Sequence, residues 1–253
     1  MQISATIITY NEERHIEACI KSLLSVADEI IVVDSFSTDD TANICRSIPE
    51  VRFLENEFEG HIQQKNYALD QTNFDYVLSL DADERLSLQL QQEILRVKKF
   101  AKLPRTGYFM PRLNNYCGKW IKHGGWYPDP KLRLWNKNYG RWAGINPHDK
   151  VVLQKNIALG VLKGDILHYT YQTTAAHDRQ IEKFATIAAV EAFKKNKKVI
   201  PFFHLYIYPV ISFVQNYFIK LGFLDGQIGF TLGRKHMYYK YLKYKKLLTH
   251  YEA

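Results

Sequence analysis

Apolar runs of strand length alternate with helical spacing through the first eighty residues. Residues 3–9 (ISATIIT) are β-rich, and Asn11 followed by Glu12 and Glu13 reads as a helix N-cap whose acids suit the helix dipole. Ile16, Ile20, Leu23 and Leu24 continue as a helical stripe, and IIVVD at 30–34 is the uninterrupted apolar run of a strand covered on both faces. Ser37 to Thr41 offers turn and capping chemistry before the helix ANICRSI, and VRFLE (51–55) gives a third strand. HIQQKNYALDQ (61–71) predicts a helix and YVLSLD (76–81) a fourth strand. The alternation predicts parallel βαβ units in a doubly wound sheet, whose ligands sit beyond the C-terminal ends of the strands. Asp34 and Asp81 both fall at such ends.

Beyond Leu86 the spacing of Leu88, Leu90, Ile94, Leu95 and Val97 predicts a helix to about Phe100, closed by Pro104. Residues 107–153 mix short strand-like pieces with Gly, Pro, Trp and Tyr, as a loop-rich substrate face does. ILHYTY (166–171) predicts one more strand, and 174–193 a helix. No internal repeat or low-complexity linker interrupts the chain, and the basic stretch 194–198 predicts a seam.

Charge sharpens that seam. The net charge is +8, yet residues 1–193 hold 23 Lys/Arg against 24 Asp/Glu, while 194–253 hold 11 bases and 2 acids. The two parts face different surroundings, and the basic part suits an anionic surface. Three cysteines, Cys19, Cys45 and Cys117, lack metal-like spacing and read as reduced thiols. The N-terminal residues carry no basic leader or long apolar core, so a secretory signal is not expected.

A strand that ends in LSLDADE places Asp81, Asp83 and Glu84 where carboxylates must meet a cation or many donors. Acids two residues apart at a turn can face one ligand, and such hard oxygen donors suit Mg²⁺ or Mn²⁺ gripping a diphosphate. A solvated turn that caps the next helix is the competing reading, and Glu84 fits that reading best.

In order and spacing, TIITYNEERHIEACIKSLL, VVDSFSTDDT, QQKNYAL and LSLDADE resemble the nucleotide-binding half of family 2 glycosyltransferases. HDKVV, ILHYTY and KLGFLDGQIGF extend the likeness to the branch typified by lipopolysaccharide-core β-1,4-glucosyltransferases. The resemblance implies an α/β GT-A fold, Rossmann-like, with a mainly parallel sheet flanked by helices and a C-terminal helical, basic-aromatic extension. It implies a catalytic domain at 1–193, with a nucleotide-sugar half at 1–100 and an acceptor half at 101–193, followed by the extension at 194–253. It further implies inverting transfer from a nucleoside diphosphate sugar, with Mn²⁺ or Mg²⁺ as cofactor.

By that resemblance Thr9, Tyr10, Asn11 and Glu12 match the first nucleotide-contacting loop, Asp34 the acid that meets the base, and Lys65 a cation near the donor. Asp81 faces the ribose or sugar, Asp83 binds the metal, and His168 is either a further metal ligand or a structural histidine. Inverting transfer needs a base for the acceptor hydroxyl. Asp149, in a His-Asp pair where relatives often carry His-Glu, is the first choice and Asp129 its competitor. Trp120, Trp126, Tyr127, Trp135 and Trp142 form a set from which one or two stack on sugar, and Arg133 either contacts phosphate or forms a surface ion pair.

Residues 199–219 run without a charge but are interrupted by Pro201, His204, Pro209, Gln215 and Asn216. Interfacial embedding on an anionic membrane fits this run better than spanning, with packing on the body of the protein or an oligomer contact as the alternative. The expected setting is cytoplasmic, on the inner face of the cell membrane, with a saccharide or lipid-linked saccharide as acceptor. A nucleic-acid binder leaves the paired acids unexplained, and a nucleotidyltransferase-like enzyme would need a Gly/Arg/Lys-rich triphosphate loop that TYNEERHI does not supply.

Overall fold

A computed structural model describes residues 1–100, 105–145 and 148–252. The N-terminal alternation forms as β1 (Ile3–Thr9), α1 (Ile16–Leu23), β2 (Glu29–Asp34), α2 (Thr41–Arg46), β3 (Val51–Glu55), α3 (His61–Asp70) and β4 (Tyr76–Asp81). There follow β5 (Glu84–Leu86), α4 (Leu88–Lys98), β6 (Gly107–Tyr116), β7 (Lys119–Ile121), β8 (Asp129–Asn136), β9 (Gly140–Ile145) and β10 (His148–Leu153). β11 (Leu159–Val161), β12 (Ile166–Tyr171), α5 (Thr174–Lys194), α6 (Tyr208–Val214) and α7 (Gly226–Glu252) complete the order.

The chain divides into two compact units: residues 1–112 with 129–168, and residues 113–128 with everything from Tyr169 on. This differs from the seam expected at 194–198. The reason lies in α5, where Ala185 and Ala189 are fully buried, and in the partners that cover this small-residue face, Leu242, Tyr244 and Leu247 of α7. Because α5 supplies the flat face on which α7 packs, it belongs with the tail.

In the first unit the strand order is β3-β2-β1-β4-β8-β6-β12-β5. The first four strands are parallel and in register, with Thr9 opposite Asp34 and Ile8 opposite Asp81. β8 then runs antiparallel to β4, and β6 antiparallel to β8. Period-two alternation buries both faces of the parallel half. Ile30 and Val32 face a core with Ile3, Ile7, Ile16 and Ile20, while Ile31 and Val33 face Ala68 of α3. The shared C-terminal edge of β1, β2 and β4 is where their loops and acids gather.

Two local expectations are corrected. Asn11 does not cap α1, which begins at Ile16 with no side-chain cap; Asn11 is left-handed at φ 54° and links two loops instead. The region read as short strands mixed with loops holds one long strand, β6, of ten residues, and the β9–β10 hairpin.

In the second unit α7 packs against α5 and against the helical stretch that contains α6 and its flanking π turns, Phe203–Ile207 and Gln215–Ile219. Asp225, nearly buried, accepts from the backbone N–H of His123 at 2.9 Å and pairs with its Nδ1 at 3.0 Å, tying the 222–226 turn to the loop after β7.

Candidate active site

Three consecutive residues of α3 each hold a different strand end. Gln64 Nε2 donates to Ser35 Oγ at 3.0 Å and to the Asn56 carbonyl at 3.1 Å, fixing the loops after β2 and β3. Lys65 Nζ lies 2.8 Å from Asp81 Oδ1 and 2.8 Å from Asp149 Oδ2, joining the end of β4 to β10. Asn66 exchanges two hydrogen bonds with the backbone of Trp142 in β9. The QQKNYAL stretch is therefore a clamp, and it works because a helix places neighbouring side chains in divergent directions.

Asp34 and Asn11 perform the same service on the other side. The buried Asp34 carboxylate accepts from the Ser37 N–H at 2.7 Å and from its hydroxyl, and Asn11 Oδ1 accepts from the Thr38 N–H at 2.8 Å. Ser37 Oγ in turn accepts from the Asn11 N–H at 2.8 Å. The loops after β1 and β2 are thus braced together.

The acids after β4 divide into two groups. Glu84, expected in solvent, is fully buried: Oε2 accepts from the Asp81 N–H at 3.0 Å, and Oε1 from Arg133 at 2.8 Å and Arg112 at 3.1 Å. The turn Asp81–Glu84 leads at once into β5, whose first residue is Glu84 and which pairs with β12. Arg133 also donates to Asp81 Oδ2 at 2.9 Å. It is a buried ion pair, not a surface one; burial works to lower its guanidinium, but Glu84 and Asp81 overcome it and hold Arg133 above its usual range. Burial works to raise the Asp81 carboxyl, but Lys65 and Arg133 overcome it and hold Asp81 well below the usual carboxylate range.

Asp83 points the other way. Its Oδ2 is 3.1 Å from His168 Nε2, and both residues line a cavity of about 1210 Å³ at the C-terminal edge of the parallel strands. Thr9, Tyr10, Glu12, Lys65, Asp81 and Asp149 line the same space. Burial, reinforced by Asp83 and Asp39 and opposed by His168, pushes the Glu12 carboxyl up to about 7. Asn11 and Asp34 are not among the described lining residues; their bonds run to Ser37 and Thr38 in the loop after β2. Among the described residues no three His, Cys, Asp or Glu side chains form a ready metal cage. One carboxylate and one imidazole facing open space still suit a hard cation that takes its other oxygens from a ligand phosphate and water.

The structure separates the two candidate bases. Asp149 lines the cavity, whereas Asp129 starts β8 outside it, held by Arg112 at 2.7 Å and Lys131 at 2.9 Å. Of the aromatic set, Trp142 lines the cavity, with Lys65 Nζ 4.4 Å from its ring centre. Trp135 is fully buried and donates to the Gly140 carbonyl at 3.0 Å. Trp120, Trp126 and Tyr127 lie in the second unit. Phe58 and His61, which face each other edge-on with ring centres 5.2 Å apart, also line the cavity. The sequence offered no signal for them beyond their position just before α3.

Residues 4–152 match the family model for Glycosyl transferase family 2. An uncharacterized glycosyltransferase of Rickettsia typhi is 31% identical over 97% of this chain and 86% of its own length. A lipopolysaccharide core biosynthesis glycosyltransferase, LpsC, of Rhizobium meliloti is 29% identical over 98% of this chain and 92% of its own. Among solved structures, S. aureus TarS 1-349 in complex with UDP aligns with all of this chain and 91% of its own, at 15% identity and a TM-score of 0.49.

Proposed function

The chain belongs to glycosyl transferase family 2, with a GT-A-like fold, and from that premise we propose an inverting hexosyltransferase that uses a nucleoside diphosphate sugar, a UDP-sugar above others. Its acceptor is a saccharide or lipid-linked saccharide of cell-envelope polysaccharide or lipopolysaccharide, a reading supported by the likeness to LpsC along nearly the whole chain. The observation that carries the chemistry is that Asp149 opens on the same cavity as the Asp83–His168 pair, while Lys65 binds Asp149 and Asp81 together.

Asp149 is the base. It takes the proton of the acceptor hydroxyl as that oxygen attacks the anomeric carbon, while the bond to the diphosphate breaks on the opposite face, so the configuration inverts. Lys65 holds the carboxylate in place and is itself held over Trp142. Thr9, Tyr10 and Glu12 line the donor side, and Asn11 and Asp34 keep their loops in position. Asp83 and His168 would hold Mn²⁺ or Mg²⁺, which when bound neutralises the charge that develops on the departing diphosphate.

Calorimetry with UDP-, GDP- and ADP-sugars, each with and without Mn²⁺, tests the reading. Metal-dependent binding of one UDP-sugar that is lost in Asp83→Asn supports it, and failure of every donor to bind overturns it. Anomeric NMR of the first product then distinguishes inversion from retention.

A further inference from the structure

The helical stretch across residues 201–219 carries no charged residue. One face packs inward, with Pro209, Ser212 and Asn216 buried. The other exposes Phe202, Tyr206, Val210, Ile211, Val214 and Phe218, at spacings of four, four, one, three and four residues, and Phe202 is 68% and Phe218 55% accessible. Ile219, Leu221, Phe223 and Leu224 continue the same exposed surface across the following turn. An exposed apolar surface of this extent, on a helix whose other side is already packed, marks an interaction site.

The rim of this surface is basic. Lys194, Lys195, Lys197 and Lys198 are exposed before it, Lys220 within it and Arg234 beyond it. The acid that falls among the described residues between 194 and 251 is Asp225, and it is nearly buried against His123. We propose that this face docks in the headgroup region of an anionic lipid bilayer, with the aromatic and aliphatic side chains in the interface and the lysines on the phosphates. A second copy of the chain is the poorer occupant, because a two-fold contact would set one acid-free basic rim against another.

The face lies in the membrane surface rather than crossing it. Among the described residues no single helix is long and apolar enough to span, and the two helices that pass together, Phe203–Ile219 and Gly222–Tyr251, are bent by 71°. The second of these carries Arg234, Lys235, Lys240, Lys243, Lys245 and Lys246, so it cannot enter the hydrocarbon. The inference stands on this surface alone and is independent of the proposed chemistry.

Cosedimentation of the full chain tests it, using vesicles of phosphatidylcholine alone and of phosphatidylcholine and phosphatidylglycerol in equal parts. The expected result is binding to the mixed vesicles that weakens as salt rises. Ile211→Glu with Phe218→Glu abolishes it, while circular dichroism and the thermal transition stay those of the parent because both positions are exposed. Lys195→Glu with Lys198→Glu weakens it by about tenfold or more. Equal binding to both vesicle types, or unchanged binding by the Ile211/Phe218 variant, overturns the proposal. So does sedimentation equilibrium showing a dimer that this variant dissociates while the parent ignores vesicles.

Discussion

At the residue scale, the two carboxylates that flank Ala82 have opposite tasks. Asp81 is committed to Lys65 and Arg133 and works as part of the wall, whereas Asp83 faces the cavity beside the His168 imidazole, which can yield it to a cation. Asp149→Asn keeps the shape and one acceptor oxygen for Lys65 but removes the base. Transfer should fall by about 10²–10⁴-fold while donor affinity by calorimetry stays within a few-fold, and substantial remaining turnover would remove Asp149 from the chemistry. Glu84→Gln makes a different prediction. It takes the charge from a fully buried group that satisfies two arginines, and among the described residues Arg133 Nε and Nη1 already find no partner. Urea unfolding should show a loss of about 3–5 kcal/mol, as breaking a buried pair costs. The paired acids were legible from the sequence because a strand ending in charge needs a reason. Glu84 was not, because nothing in LSLDADE shows that the chain folds back after Ala82 and buries the third acid.

At the scale of elements, the parallel half was legible because each strand is a continuous apolar run and each connection carries turn or helix chemistry. Where local signals compete, the reading failed. Asn11 has the composition of a cap, but its side chain is used between loops, and tertiary bonds with Ser37 and Thr38 decided its left-handed conformation. The β9–β10 hairpin was harder still, since its register, with Asp149 opposite Gly144 and Val151 opposite Trp142, comes from contacts with α3 that no local pattern encodes. In the second unit the KLGFLDGQIGF stretch has a steric explanation. A Cβ on Gly229 would lie 1.8 Å from the Gly222 carbonyl oxygen, so the start of α7 and the 222–225 turn can approach only through glycine. Gly229→Ala should therefore destabilise by about 1–3 kcal/mol or more, although alanine is the better helix former. A thermal transition equal to or above the parent's would show that the turn gives way at little cost.

At the scale of the whole molecule, the charges of the two units predict different responses to acid. In the second unit His177 is stacked on Tyr171, lies beside Trp126, bonds Tyr116 Oη at 3.2 Å, and is faced by Lys235 and Asp178. Burial, with Lys235 adding to it and Asp178 opposing, lowers its imidazolium to about 4. His236, near Tyr239 and faced by Lys240 and Lys220, is lowered to about 4 by burial and then by those lysines. For a base depressed on folding, the unfolded chain binds the proton first. The stabilisation is complete above the ordinary histidine value of about 6.5 and is lost as pH falls from there towards 4. In the first unit burial lowers His15 in the same sense, but the strand ends also hold the opposite reserve. Asp81 is depressed by Lys65 and Arg133, so its contribution is present above the ordinary carboxylate value and is lost only as pH falls through a much lower folded value. Acid should therefore loosen α5 and α7 before the parallel strands. Hydrogen exchange at pH 7 and pH 5, corrected for intrinsic rates, should show protection falling in α5 and α7 while β1 and β4 keep theirs, and His177→Phe together with His236→Phe should flatten that difference. Equal loss in all four elements would mean that the histidines do not set the acid response.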